Sequence, residues 1–219
     1  MNNQQVEWRL LPVIEGDGFR QMSLDHALLI SASREESVPT LRFYRFTPPS
    51  LTVGRFQPLR HIDLAVCRRL GIDVVRRPTG GKAILHKDDF TYSLTMPSTA
   101  NMPGSVEESY VTICRGIIEA LARLGVEAAL VPRTPYELNR EHACFSSPAA
   151  ADLAVGGRKL CGSAQTRKAG GLLQHGTILK LDNASLLLKL LTYEEEESDK
   201  RRRELARTST CLEDRKSVV

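Results

Sequence analysis

Aromatic residues are scarce in this chain. Phe, Tyr and Trp make up 5% of its 219 residues, with a single tryptophan. A platform that stacks nucleic-acid bases is therefore not expected. A dominant charge is also missing. Thirty Lys and Arg stand against 26 Asp and Glu, for a net +4, too little to mark a nucleic-acid footprint. No apolar run approaches the ~18 residues that a membrane span needs. The opening MNNQQVEWRLL lacks the charged-then-apolar pattern of a secretory signal. The expectation is a cytoplasmic protein with neither nucleic acid nor membrane as a partner. Its mild basicity would suit an acidic protein partner through electrostatic steering.

Paired cysteine motifs are absent too. The five cysteines are Cys67, Cys114, Cys144, Cys161 and Cys211, an odd number with no CxxC. That argues against a disulfide framework or a cysteine-rich zinc site. His26, His61, His86, His142 and His175 are scattered without metal-ligand spacing, so no metal is expected. HExxH, GxSxG and GxGxxG do not occur. Gly81-Lys82 fails as a phosphate loop. The required upstream glycine falls on Arg76, and Ala83 stands where Ser or Thr is needed.

What is present reads as strands interrupted by helices. VEWRLLP and TLRFYRF are strand-like, as are DVVRRP, KAILH and FTYSLTM, and SLTVGRF is a short apolar run that breaks at Gly54. Helical spacing marks Phe19 to Glu35 and a short segment ended by Gly71. The clearest helix opens on Ser105 and Glu108, a capping-box pair, and stops at Gly125. Residues 152–181 read as three strands, with Gly156-Gly157 as a hairpin turn. Ala184 to Leu191 and Glu194 to Arg207 read as helices, the latter with a salt-bridged solvated face. No internal repeat or long linker appears. The elements do not alternate strictly, which predicts an α+β fold with a mixed sheet flanked by helices.

Several residues could carry chemistry. Thr79-Gly80-Gly81 reads as a tight turn, or as bare backbone against which a ligand can lie. Arg76 and Arg77 would face opposite sides of a strand, one of them inward. Cys144 could be a small apolar residue, or a nucleophile whose thiolate is favoured by a nearby cation such as Lys159. Cys67, Cys114 and Cys161 fit packing positions. His175 reads as a strand residue making ordinary hydrogen bonds. His86, beside a turn, is expected to be the more exposed.

Four segments together resemble the lipoate–protein ligase A and octanoyltransferase family, whose fold is shared with biotin protein ligase. They are LRFYRFTPPSLTVGRFQ at 41–57, RRPTGGKAILHKDDFTYSL at 76–94, ACFSSPAAADLAVGGRKLCGSAQTR at 143–167 and LLQHGTILKL at 172–181. The third looks like the cysteine-dependent octanoyltransferases of Gram-positive type. The resemblance implies a largely antiparallel ligase-like catalytic domain over residues 1–219. A helical tail would run from about residue 183 to 219, with no ligase accessory domain. It implies Cys144 as nucleophile and Lys159 as its cation. Arg76, Arg77, Gly80, Gly81, Lys82, His86, Gly162, Ser163 and His175 would surround the substrate. The two glycines would line an acyl tunnel, with Arg76, Arg77 and Lys82 framing its mouth.

In that group the cysteine takes octanoyl from acyl carrier protein. It passes the chain to a lysine of the glycine cleavage H protein or another lipoyl domain. Thioester exchange is nearly isoenergetic and amide formation is downhill, so no cofactor is expected. The same fold also serves ATP-dependent lipoate or octanoate ligases, which usually carry a third glycine where this chain has Lys82. A non-catalytic binder of carrier domains and a lipoyl amidotransferase are further alternatives.

Overall fold

The computed structural model describes residues 6–100, 104–131 and 152–214. In chain order its elements are β1 (Arg9–Leu10), β2 (Ile14–Gly16), α1 (Gly18–Ser33), β3 (Thr40–Phe46), β4 (Ser50–Val53), α2 (Leu64–Arg69), β5 (Asp73–Arg76), β6 (Ile84–His86) and β7 (Phe90–Pro97). There follow α3 (Val106–Arg123), β8 (Ala129–Leu130), β9 (Leu153–Val155), β10 (Arg158–Lys168), β11 (Gly171–Ile178), α4 (Ala184–Lys189) and α5 (Glu195–Thr208).

The strands form two sheets rather than one. The larger runs β1-β3-β7-β11-β10-β9-β8, with β2 also on β3. Its long pairings, β3 with β7, β7 with β11 and β11 with β10, are antiparallel. The smaller sheet is β5-β4-β6, parallel on one side of β4 and antiparallel on the other. The fold is α+β, mixed and largely antiparallel. Strand β11 is buried along its whole length, because it sits between β7 and β10 with α1 packed across it.

Local signals account for most boundaries. The Asp17 side chain accepts from the Arg20 amide at 2.7 Å and starts α1. Ser105 and Glu108 make the capping box of α3 in both directions. Gly156 and Gly157 take φ of +56° and +75°, the left-handed values a tight hairpin needs, and β9 turns back on β10 there. VEWRLLP contributes only the two residues of β1. Strands β2 and β8 went unforeseen, since two or three residues are too few to show a period of two.

The core divides accordingly. Leu51, Val53, Leu85, Leu187 and Leu190 pack the smaller sheet against the helical segments around it. Tyr92, Cys114, Leu121, Leu153, Leu160 and Ile178 join the larger sheet to α3. The inner stripe of α1 is unusual. Met22, Leu29 and Ala32 are buried together with Gln21 and Asp25, and those two polar groups belong to the site.

Candidate active site

The turn between β5 and β6 is built around one arginine. Arg77 points inward and is buried. It donates to the Gly80 carbonyl from Nε at 3.1 Å and from Nη2 at 2.9 Å, to Lys82 O at 2.7 Å and to Thr52 O at 3.1 Å. Arg76 points the other way, and its Nη1 donates to the carbonyls of Gly54, Arg55 and Gln57 at 2.6, 3.0 and 2.8 Å. The strand alternation expected of this pair is met. Gly81 has φ +95°, and a Cβ on Gly54 would collide with the Gly81 carbonyl. Two stretches of bare backbone therefore cross in contact, which only glycine at position 54 permits.

Two histidines face the same small cavity, each held by a carboxylate. On β11, His175 Nδ1 lies 2.8 Å from Asp25 Oδ2, and its Nε2 lies 2.6 Å from the Thr79 hydroxyl. At the end of β6, His86 Nδ1 lies 2.6 Å from Asp89 Oδ2, and its Nε2 lies 2.9 Å from the Thr52 hydroxyl. In a neutral ring Nδ1–H donates to the carboxylate, leaving Nε2 to accept from the threonine. His86 is not the more exposed of the two: exposures are 4% and 6%. The Phe46 ring stacks on it at 4.0 Å, and Asp89 covers its other edge.

Asp25 anchors the larger network. Its Oδ1 accepts from Arg42 Nη1 at 2.8 Å, and its Oδ2 accepts from Tyr44 OH at 2.9 Å. A second Arg42 nitrogen bonds the Gln21 side chain. Burial opposes the Asp25 charge, but the His175 hydrogen bond and the His175 and Arg42 charges outweigh it. The carboxyl is held below its ordinary value. Tyr44 is pushed well above its own by burial and by Asp25.

The cavity between the sheets holds about 50 Å³. Thr52, Arg77, Gly81, Ile84 and His86 line one side. Thr91, Gly162, Ser163, His175 and Gly176 line the other, with Met22 and Tyr44 between. Ser163 Oγ is 2.8 Å from Tyr92 OH, and a Cβ on Gly176 would strike both residues. Six of the expected substrate residues are thus brought together: Arg77, Gly81, His86, Gly162, Ser163 and His175. Gly80 and Lys82 do not line the cavity, and each gives its carbonyl to Arg77. Arg77 is a strut inside the turn, lining the cavity on one side and a neighbouring recess on the other. Arg76 lies on that same recess.

Lys159 is 1% exposed, and its Nζ lies 2.7 Å from Asp152 Oδ2. It does not line the cavity. It sits on β10 next to an irregularity in the pairing with β9. Cys144 and His142 lie outside the described residues. The other four cysteines are all buried. Burial raises the thiols of Cys67, Cys161 and Cys211, and pushes Cys114 up to about 12. Among the described residues no group of three His, Cys, Asp or Glu could hold a metal ion. None of the described helices is long and apolar enough to cross a membrane.

Sequence reasoning missed Asp25, Arg42, Tyr44, Thr52, Asp89 and Asp152. One signal was available. Asp25 falls within the Met22, Leu29, Ala32 stripe at helical spacing, and a charge on a buried stripe demands partners.

Residues 17–216 match the lipoyl protein ligase A/B catalytic domain family. The octanoyltransferase LipM of Symbiobacterium thermophilum is 42% identical over 193 residues, which cover 85% of this chain and 70% of that protein. The octanoyltransferase LipM of Kyrpidia tusciae is 40% identical over 217 residues, 94% of this chain and 78% of its own. Among solved structures, a bipartite lipoate protein ligase from Thermoplasma acidophilum, studied with its E2 lipoyl domain, aligns with a TM-score of 0.73. It shows 26% identity over 96% of this chain and 76% of that one. With its two sheets, its glycine turn and a match spanning nearly its whole length, this chain belongs to the lipoyl protein ligase A/B catalytic domain family.

Proposed function

We propose that this protein is an octanoyltransferase of protein lipoylation, working through a cysteine thioester. The observation that carries the reading is its likeness to curated octanoyltransferases over most of the chain. The donor is octanoyl-acyl carrier protein. The acceptor is a lysine of the glycine cleavage H protein or a lipoyl domain.

Cys144 is the nucleophile. Its thiolate attacks the octanoyl thioester, the carrier's sulfur leaves as a thiolate, and an acyl-enzyme thioester remains. The neutral amine of the acceptor lysine then attacks that carbonyl. An amide forms, Cys144 leaves as a thiolate, and the proton lost by the amine passes to that sulfur. Neither half-reaction requires ATP.

The state of the other thiols supports this choice. The other four cysteines are buried and burial disfavours their charged forms, which makes them poor sources of a thiolate. Val131 and Asp152, the described residues that flank the stretch containing Cys144 in the sequence, meet beside Lys159. The Val131 amide donates to Asp152 O at 2.8 Å, and the Asp152 carboxylate is the ion-pair partner of Lys159. Lys159 is the cation that favours the thiolate and then polarises the thioester carbonyl.

The acyl chain occupies the cavity between the sheets. At about 50 Å³ that space holds a few waters, each needing roughly 10–15 Å³. Entry of the chain therefore moves a wall. Met22, unbranched and flexible, is the lining side chain best suited to fold aside.

Intact-protein mass spectrometry tests the reading. The protein is mixed with octanoyl-acyl carrier protein, without ATP or acceptor. An octanoyl adduct on Cys144, lost in Cys144→Ala, is expected. An intact donor with no adduct, together with ATP-dependent modification of a lipoyl domain by free octanoate, would overturn it in favour of a ligase.

A further inference from the structure

A second recess lies on the far side of Met22 and Arg77, which form a wall common to it and the cavity. It encloses about 540 Å³, within the ~300–1,000 Å³ typical of small-ligand clefts. Its lining contains Arg55, Arg76, Arg77, Arg167, Lys168 and His26, and no carboxylate among the described residues. In a chain with 30 basic and 26 acidic residues, that is local sorting of charge. The cations come from three separate places: the loop after β4, the end of β5 with its turn, and the end of β10.

Two of the guanidiniums are set rigidly. Three backbone carbonyls orient Arg76 from one of its nitrogens and leave its charge in place. Arg167 donates to Gly104 O, Ser105 O and Ser109 Oγ at 2.8, 2.8 and 3.0 Å. Glu108, which feels the Arg167 charge, is engaged in the capping box of α3 and does not line the recess. Arg55 and Lys168 are exposed at the rim.

We propose that this recess seats the phosphodiester of an extended thioester arm, the phosphopantetheine type of arm that carries the acyl donor. The inference rests on the functional reading above. Several fixed cations gathered in one recess select an anion, and arginine forks match phosphate oxygens. A concave recess of this volume fits an arm better than a protein face. The common wall makes it one path, with the phosphate in the recess and the acyl end beyond Met22.

The test compares octanoyl-phosphopantetheine with octanoyl-pantetheine, which differ only by the phosphate. The wild-type protein is expected to prefer the phosphorylated donor by roughly tenfold in kcat/KM, and less as salt rises. The double variant Arg55→Glu, Lys168→Glu should bring that ratio close to one at an unchanged melting temperature. Lys200→Glu, on α5 and outside the recess, should keep the wild-type ratio. No phosphate preference in a wild-type protein that accepts octanoyl from the intact carrier overturns the recess assignment alone. So does a double variant that keeps the preference. No transfer even from the intact octanoyl carrier overturns the functional reading, and this inference with it.

Discussion

Replacing Asp25 by asparagine is the sharpest probe of the buried network. The carboxylate takes three hydrogen bonds: from Arg42 on one oxygen, and from Tyr44 and His175 on the other. Asparagine offers one acceptor oxygen, and its amide then presents N–H groups to at least one of those donors. It also leaves the Arg42 guanidinium, 1% exposed, without its counter-charge. Removing one partner of a buried ion pair costs about 3–5 kcal/mol. That is a large share of the ~5–15 kcal/mol that hold a typical domain folded. At ~2–4 °C per kcal/mol for a chain of this size, the melting temperature should fall by roughly 6–20 °C. Urea unfolding of the wild type, Asp25→Asn, Arg42→Met and the double variant measures this directly. The double variant should lose less than the sum of the single ones, because it removes both charges together. The pH dependence has a definite sign. The Asp25 carboxyl is lowered from its ordinary 3.8 in the fold, so its contribution is complete above that value. It is lost as pH falls through the lowered one. A loss below ~1 kcal/mol, the size of a surface pair, or strict additivity in the cycle would refute the picture of a buried, mutually dependent network.

Two other expectations follow from geometry. Gly54→Ala drives a methyl into the Gly81 carbonyl. The β5–β6 turn must shift, costing about 1–3 kcal/mol as in overpacked cores and lowering acyl transfer. Unaltered melting and turnover would show that the crossing is not tight. Thiol labelling of the native protein at pH 8 should find one fast-reacting cysteine, absent in Cys144→Ala, against five in denaturant. Rapid reaction at Cys67, Cys114, Cys161 or Cys211 would contradict their burial.

How much of this was readable in the sequence depended on whether a signal is local. The capping box of α3 and the Gly156-Gly157 hairpin are written within a few residues, and both are in the structure. The outward Arg76 at the end of β5 and the inward Arg77 just after it followed from strand alternation alone. Arg77 as a strut within its own turn did not, since its partners include Thr52, 25 residues away. The division into two sheets was equally hidden, because pairing partners are chosen across the chain and short strands carry no period. His86 was misjudged for the same reason. A turn at its side suggested solvent, while Phe46 stacks on it from β3 and Asp89 of that turn folds back onto its Nδ1.

The place of β11 bears on how the chain is made. It is the last of the described strands in chain order, yet it lies between β7 and β10 in the larger sheet. Until Gly171 and the residues after it leave the ribosome, β7 has only β3 beside it and presents an open edge to any passing strand. The His175–Asp25 bond spans 150 residues, so the emerging α1 must hold a buried carboxylate long before its histidine exists. Production of this protein should accordingly be most prone to aggregation in the interval before the final hairpin closes, and chains truncated ahead of β11 should be insoluble rather than merely inactive.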